Sequence, residues 1–428
     1  MGEPGLAVID RAAIRAAEGP LRTLATRLLK VGFNERMVRA WFGAPLVSDA
    51  RHLSPPPARS RRGLGGAIAL WVAGETVEAR ELGLLDPAEW EALALLGLVE
   101  RDGEAVRARV SIVPLLSVLV VADRLDERSE FAVLSPDVSA WNLAASLPAG
   151  VGTLLDIGTG AGACALVAAQ RGARVVGTDV DRRALAFADL NARLNAVEIT
   201  LLEGDLFAGV VGRFEVVAFN APLVVAEMAG DRTAPLYLRS PRGEALVVDF
   251  LAGARARTTG GGEALLHVQL TDAVDEAAAA SGFPRRLALH FADAPDGTPH
   301  ALLSLANAGP PGASRARIPL GPACPHLGRE LLDRLHATRD VASARYLRPP
   351  LFRSAVLRPP PWLELTRIEV HDGSAFRQRA VRLGLARLDG EELALVEACD
   401  GRPVAELATD DVAFERLATL ADRGLLVV

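Results

Sequence analysis

Lysine is almost missing from this chain: of its 47 basic residues, every one but Lys30 is arginine. With abundant alanine and glycine, that bias reads as the codon usage of a GC-rich bacterial genome rather than as phosphate recognition. Cysteine is scarce too. Cys164, Cys324 and Cys399 are odd in number and far apart, which excludes a disulfide framework and offers no zinc-ligand spacing. No metal site is expected. Aromatics make up 5% of the residues, so a core must come mostly from Leu, Val and Ala. No apolar run reaches the roughly 18 residues that cross a bilayer without a charge. The N-terminus mixes acids and arginines where a signal peptide would be apolar. A reduced, cytoplasmic protein without membrane spans is expected. The formal net charge of −6 argues against a general nucleic-acid coat, though not against a local basic patch. Half of the 428 residues are hydrophobic, and such a length suits roughly two to four domains.

What the chain does contain is a strand and a glycine turn at its centre. Leu154-Leu155-Asp156-Ile157-Gly158-Thr159-Gly160-Ala161-Gly162 is an apolar run that ends in Asp-x-Gly-x-Gly-x-Gly, and a helix-forming run starts at Ala163. The run reads as a buried parallel strand, and the glycines as a tight turn into a helix. Glycine lets the backbone take φ > 0 and approach a ligand closely. A second strand, Arg174 to Asp179, ends in a carboxylate 23 residues after Asp156. A carboxylate there can accept both protons of a ribose diol. A third, Ile199 to Glu203, runs into Gly204-Asp205-Leu206-Phe207, where Asp205 can accept from an exocyclic adenine amine. A fourth, Phe214 to Phe219, ends in Asn220-Ala221-Pro222-Leu223. Open α/β sheets bind ligands at this carboxyl edge.

These motifs resemble those of class I S-adenosylmethionine-dependent methyltransferases, over roughly residues 140 to 308. Nicotinamide Rossmann domains space their glycines G-x-G-x-x-G, whereas here the spacing is G-x-G-x-G. Asn220-Ala221-Pro222-Leu223 resembles the Asn-Pro-Pro-Tyr signature of the branch that methylates planar nitrogens, which includes base and release-factor glutamine methyltransferases. The resemblance implies S-adenosyl-L-methionine as cofactor. It implies that Asp156 and the glycines Gly158, Gly160 and Gly162 cradle its amino-acid end. Asp179 would hold the ribose, Asp205 the adenine amine, and the backbone N–H of Leu206 an adenine ring nitrogen. Asp181 reads instead as a helix N-cap. Asn220, with the carbonyl of Ala221, would accept from the target N–H2 and aim its lone pair, while Pro222 stiffens the turn. Asn-x-Pro also turns a chain without any function.

Two departures stand out. The first proline of the signature is Ala221, which leaves the turn less rigid, and the stacking aromatic is Leu223. An aliphatic wall suits a nucleobase poorly, since stacking is worth about 1–3 kcal/mol. Glu227, Tyr237 and Arg239 lie close enough in sequence to reach the pocket, although surface or packing roles suit them as well.

The fold expected is α/β: a seven-stranded, doubly wound, Rossmann-like methyltransferase sheet flanked by winged-helix-like α+β domains at both ends. Helices over Arg11 to Lys30 and Asn34 to Phe42, short helices within Glu75 to Gly97, and a hairpin turning at Asp102-Gly103 fill residues 1–140. Val110 to Arg124 is a small β platform. Ser135 to Trp141 sits where related enzymes cover the cofactor, and Trp141 reads as packing. The sheet occupies 141–308: a helix from Gly243 to Thr259, broken by Gly260-Gly261-Gly262, then strands Glu263 to Leu270, Arg285 to Phe291 and His300 to Ala306, with a helix at Asp272 to Ser281. Residues 309–362 form a Pro/Gly-rich linker with a short helix at Leu327 to Arg339. Residues 363–428 are a small unit with helices at Glu391 to Cys399, Pro403 to Ala408 and Val412 to Arg423, and a strand at Gly424 to Val428. It is also similar to peptide-binding modules of peptide-modifying enzymes.

The leading expectation is methylation of a nitrogen on a small molecule, peptide or protein side chain. One alternative is an RNA or DNA base, approached across a basic strip at Arg51, Arg59, Arg61 and Arg62, with steep salt dependence. Another is an inactive cofactor-binding scaffold. A homodimer is compatible with the sequence and not required by it.

Overall fold

A computed structural model describes residues 6–7, 9, 11–42, 47, 62–127, 129, 131–222, 243–291, 300–309, 311–318, 329, 332–333, 365–371, 376–383, 386–399, 404–408 and 410–422. The N-terminal part holds helices α1 (Arg11–Ala16), α2 (Glu18–Lys30), α3 (Glu35–Phe42) and α4 (Gly63–Trp71), strand β1 (Thr76–Glu78) and helices α5 (Ala79–Leu82) and α6 (Pro87–Leu95). Strands β2 (Val99–Asp102), β3 (Ala105–Ala108), β4 (Val110–Leu115) and β5 (Val118–Asp123) follow. The expected first helix is broken at Ala17. The Asp102-Gly103 turn is present, with Gly103 at φ 61 and Asp102 paired with Ala105. Helices followed by a hairpin are thus as expected; the name winged helix goes further than these elements establish. The β4–β5 hairpin is the expected platform.

The central part contains α7 (Val138–Ala145), β6 (Thr153–Ile157), α8 (Ala163–Gln170), β7 (Arg174–Asp179), α9 (Arg182–Leu194), β8 (Ile199–Glu203) and β9 (Phe214–Asn220). Then come α10 (Ala245–Arg257), β10 (Thr258–Gln269), α11 (Asp272–Ala280), β11 (Arg285–Phe291), β12 (His300–Ala306) and β13 (Gly312–Ile318). The strands form one sheet in the order β13-β11-β12-β10-β9-β6-β7-β8. From β10 to β8 every pairing is parallel, and β12 runs antiparallel between β10 and β11. Strands buried on both faces read as continuous apolar runs: Leu154 belongs to the core on one side of β6, and Leu155 and Ile157 to the core on the other.

Among the described residues the sheet has eight strands, not seven. Gly312–Ile318, expected as linker, pairs in parallel with β11, Arg285 opposite Gly312 through Phe291 opposite Ile318. An open β11 edge would leave a row of backbone groups unpaired, and β13 covers it. Likewise, Gly260-Gly261-Gly262 does not stand outside the fifth strand. β10 starts at Thr258, with a register irregularity before Glu263. A Cβ on Gly262 would lie 2.5 Å from the Glu215 carbonyl oxygen, so only glycine lets the strands close there.

The N-terminal helices share one core with the sheet: Leu21, Leu24, Leu28, Trp71 and Trp90 are in the same buried cluster as Leu166, Phe187 and Leu190. The joint is specific as well as oily. The Asn191 amide on α9 is fully buried. It accepts from Val121 N at 2.7 Å and donates to Val121 O at 2.8 Å, while its other proton goes to Ala161 O in the glycine turn at 2.9 Å. One turn later Asn195 accepts from Leu119 N and donates to Leu119 O, at 2.8 and 2.7 Å. Two amides on a helix thus stand in for a neighbouring strand along β5.

The C-terminal part forms a separate small core around Val396, Phe414, Leu417 and Leu420. Its helices α12 (Gly390–Ala398), α13 (Val404–Leu407) and α14 (Asp411–Asp422) lie within about a residue of expectation. Strands β14 (Leu365–His371), β15 (Phe376–Leu383) and β16 (Ala386–Leu388) make a three-stranded sheet that the sequence reading did not anticipate. The expected strand at Gly424 to Val428 and the extended segment to Pro361 lie outside the described residues, as do Arg51, Arg59 and Arg61. Among the described residues no helix is long and apolar enough to cross a membrane.

Replacing Asn191 by alanine strands three buried backbone groups, each worth about 1–3 kcal/mol when unpaired. Urea unfolding of Asn191→Ala should therefore show a loss of at least about 2 kcal/mol; a midpoint equal to wild type would show that the amide clamp carries no stability.

Candidate active site

The sheet reverses its winding between β6 and β9, because β7 and β8 lie to one side of β6 and β9 to the other. A crevice opens at the carboxyl ends of such a pair. Here it is a cavity of about 540 Å³, within the range that takes a small ligand or cofactor. Asp156, Gly158, Gly160, Asp179, Asp205, Leu206, Asn220, Ala221 and Pro222 all line it. Gly162 does not. It caps α8 at φ 89, and a Cβ there would sit 3.5 Å from Ala188, so its role is packing against α9.

The turn after β6 bends back because Gly158 and Gly160 take φ of 60 and 56. Its polar groups are held from outside. Asp156 Oδ2 accepts from Thr159 Oγ1 at 2.7 Å and from Ala165 N at 3.2 Å. Asp179 Oδ2 accepts from Gly160 N and its Oδ1 from Asp181 N, both at 2.9 Å. A carboxylate has about four acceptor positions, so these bonds do not exhaust Asp179. Asp181 is the N-cap of α9, accepting from Arg183 N at 2.8 Å, in line with its sequence reading. Leu206 is held at φ 48 with its carbonyl accepting from Thr178 Oγ1 at 3.2 Å. Non-glycine backbone in this region is strained and concentrates at functional sites.

On the other wall, Asn220 Nδ2 donates to Ser139 Oγ at 2.9 Å, and Ser139 Oγ donates to Asp137 Oδ1 at 2.5 Å. Asn220 Oδ1 is buried and has no hydrogen-bond partner. Ala221 N donates to the carbonyl of His267 at 3.0 Å, and His267 is the β10 residue beside Asn220 in register. Leu223, Glu227, Tyr237 and Arg239 lie outside the described residues.

Residues 132–137 form a strap along the cavity wall. At one end Val133 N donates to Asp123 Oδ2 at 2.6 Å, and Arg183 grips the same carboxylate with both terminal nitrogens. At the other end Asp137 caps α7 by accepting from Ser139 N and Ala140 N. Trp141, on α7, is buried and donates from Nε1 to Glu35 Oε1 at 2.7 Å. Of the region expected near the cofactor, Ser135 to Trp141, the residues Ser135, Pro136, Asp137, Ser139 and Ala140 line the cavity and Trp141 packs; the bond from Asn220 to Ser139 and the Asn191 contact to Ala161 have no sign in the sequence. Their signal is tertiary: helix and strand residues meet across gaps of 81 and 30 positions.

Five aspartates line the cavity and, among the described residues, no basic side chain does. Such a wall favours a cationic or neutral guest over an anion. Burial pushes Asp156 up to about 7, against its bonds from Thr159 and Ala165. Burial also raises Asp179, against the bonds from Asp181 and Gly160.

Residues 126–239 match the family model described as the methyltransferase small domain. A ribosomal protein L11 methyltransferase of Geobacter sulfurreducens is 45% identical over 86 residues, 19% of this chain and 27% of that protein. A release factor glutamine methyltransferase of Deinococcus radiodurans is 42% identical over 71 residues, 16% of this chain and 26% of that protein. A ribosomal RNA small subunit methyltransferase C of Alcanivorax borkumensis is 27% identical over 213 residues, 42% of this chain and 63% of that protein. The chain thus spans less than two thirds of each of these relatives. The family match bears out the resemblance to class I S-adenosylmethionine-dependent methyltransferases.

Asp156 sets a pH expectation. The unfolded chain releases this proton near 3.8 and the folded chain near 7. Between those values the folded state holds more protons, so stability falls as pH rises through the window and levels off above it. Asp156→Asn, which mimics the protonated group, should flatten that fall in denaturation series across the window. An unchanged slope would place the proton elsewhere.

Proposed function

We propose that this chain is an S-adenosylmethionine-dependent methyltransferase whose acceptor is a nitrogen of a small molecule, peptide or protein side chain. The observation that carries the reading is Asn220: a buried acceptor oxygen without a partner, in the cavity wall at the carboxyl end of β9. The residues fit the cofactor. Gly158 and Gly160 carry no side chain into the turn, and the aspartates of the wall complement a cationic ligand. Asp156 would organise the turn around the amino-acid end, Asp179 accept from the ribose hydroxyls, and Asp205 with the Leu206 N–H meet the adenine. When bound, the cofactor supplies an electrophilic methyl group on a cationic sulfur.

The protein's own work is positioning. Asn220 Oδ1 and the Ala221 carbonyl would accept from the target N–H groups, which draws the nitrogen lone pair out of conjugation and aims it. Orientation of this kind can contribute on the order of 7–11 kcal/mol in well-placed reactions. The strap of residues 132–137 would help to exclude water from the transfer. An amide or amine suits this wall, and the relative named for release-factor glutamine supports an amide nitrogen. The relative named for ribosomal RNA, which covers the most of this chain among the three, supports a base nitrogen as the second reading.

Calorimetric titration with S-adenosylmethionine and S-adenosylhomocysteine comes first. Host extract, split into small-molecule, protein and RNA fractions, is then exposed to enzyme and methyl-labelled cofactor. Binding followed by label in the small-molecule or protein fraction supports the leading reading, and label in RNA the second. Asp179→Ala should weaken cofactor binding at least about tenfold, since about 1.4 kcal/mol of lost hydrogen bonding corresponds to that factor. Asn220→Ala should bind cofactor normally and lose transfer. Unaltered affinity in the first variant, or unaltered transfer in the second, would refute the corresponding role.

A further inference from the structure

An asparagine amide has two ends of similar shape and opposite chemistry: one accepts, the other donates. Which end of Asn220 meets the cavity decides whether the site attracts a target N–H or repels it. The neighbouring hydrogen bonds fix the answer by proton bookkeeping. A carboxylate only accepts. Asp137 Oδ1 is held in place by Ser139 N at 3.0 Å and Ala140 N at 3.1 Å, in the first turn of α7. The Ser139 hydroxyl, 2.5 Å away, gives that oxygen its single proton. Only lone pairs are then left on Ser139 Oγ for Asn220, 2.9 Å away. The amide must therefore present its N–H2 to Ser139. The reversed amide would set two acceptors against each other with no proton between them. Asn220 Oδ1 is left as the end without a protein partner.

We infer that Asp137 and Ser139 are positioning residues that set the polarity of the Asn220 amide, and so select an acceptor atom that carries hydrogen. This rests on the nitrogen-methylating reading above. It adds a specificity rule: a nitrogen bearing N–H finds a matching acceptor, whereas a carboxylate oxygen would face Asn220 Oδ1 lone pair to lone pair. Ser139 is itself buried, so water does not readily take over its place.

The test uses the full-length protein labelled with ¹⁵N. The Asn220 side-chain signals are assigned by their loss in Asn220→Ala. In wild type one amide proton should exchange slowly with solvent. Ser139→Ala should speed that exchange by up to about tenfold, the worth of one hydrogen bond. S-adenosylhomocysteine affinity should stay within about twofold, because the cofactor roles fall to Asp156, Asp179, Asp205 and Leu206. Label transfer to the extract fraction that accepts methyl should drop by a similar factor at saturating cofactor. Ser139→Thr keeps the hydroxyl and should restore slow exchange and transfer. Unchanged amide exchange in Ser139→Ala, or wild-type transfer by it, overturns the inference. Loss of S-adenosylhomocysteine affinity without rescue by Ser139→Thr also overturns it, since that pattern marks a role in folding alone. Wild-type transfer by Asn220→Ala would instead overturn the underlying reading of Asn220.

Discussion

A chain that turns back over a sheet edge on three glycines gives up regular hydrogen bonding, and the rest of this structure depends on making that good. The Gly158–Gly162 turn has φ of 60, 56 and 89 at its glycines. Buried backbone groups left unpaired cost far more than a typical bond gains, so each exposed group of the turn needs a partner from elsewhere. Asp179 takes Gly160 N, Asn191 gives a proton to Ala161 O, and Asp156 takes the Thr159 hydroxyl and Ala165 N. The three side chains come from three elements: β7, α9 and β6. The cavity keeps its shape only while those elements keep their spacing.

That requirement explains why the N-terminal part is fused to the sheet. Asn191 reads the glycine turn with one proton and β5 with the rest of its amide. Arg183, one turn from the Asp179 loop, grips Asp123 at the end of β5, and Asp123 starts the strap by accepting from Val133 N. A buried ion pair adds little net stability but penalises any arrangement that separates its members. Glu35 does the same for the far end. Its half-buried carboxylate accepts from Leu116 N, at a residue held at φ 49, and from Trp141 on α7. Burial raises this carboxyl, against the charge of Arg39. Displacing the N-terminal part would therefore strip partners from the turn, the strap and α7 together.

The legible parts of the molecule are those written in local sequence. β6, β7, β8 and β9 are apolar runs with polar or glycine ends, and those ends are the cavity wall, so Asp156, Asp179, Asp205 and Asn220 could be placed before any geometry. β13 was hidden because Ser314-Arg315-Ala316-Arg317 has an ordinary polar loop composition; what makes it a strand is the open edge of β11. β14 does alternate Thr366, Ile368 and Val370 with Arg367 and Glu369, but it follows a proline-rich stretch, and β15 lacks such a pattern. Asn191 is unremarkable inside a helix, and Ser139 reads as an ordinary first-turn residue beside the Asp137 cap. Their roles exist only once α9 meets β5 and α7 meets β9.

The altered turn after β9 shows how such tertiary support can replace a local device. Proline at the second position of the family's signature fixes φ and has no N–H to satisfy. Alanine there restores both a rotatable bond and a donor, and the sequence alone suggests a looser turn. In the fold, the donor is the remedy. Ala221 N bonds to the His267 carbonyl on the neighbouring strand, so the parallel ladder continues one residue past Asn220. Ala221 is buried, where water does not compete for that bond. The backbone next to Asn220 is thus pinned by the sheet, and the Asn220 side chain by Ser139. The two restraints act on different atoms, and they leave Asn220 Oδ1 as the end of the amide without a protein partner.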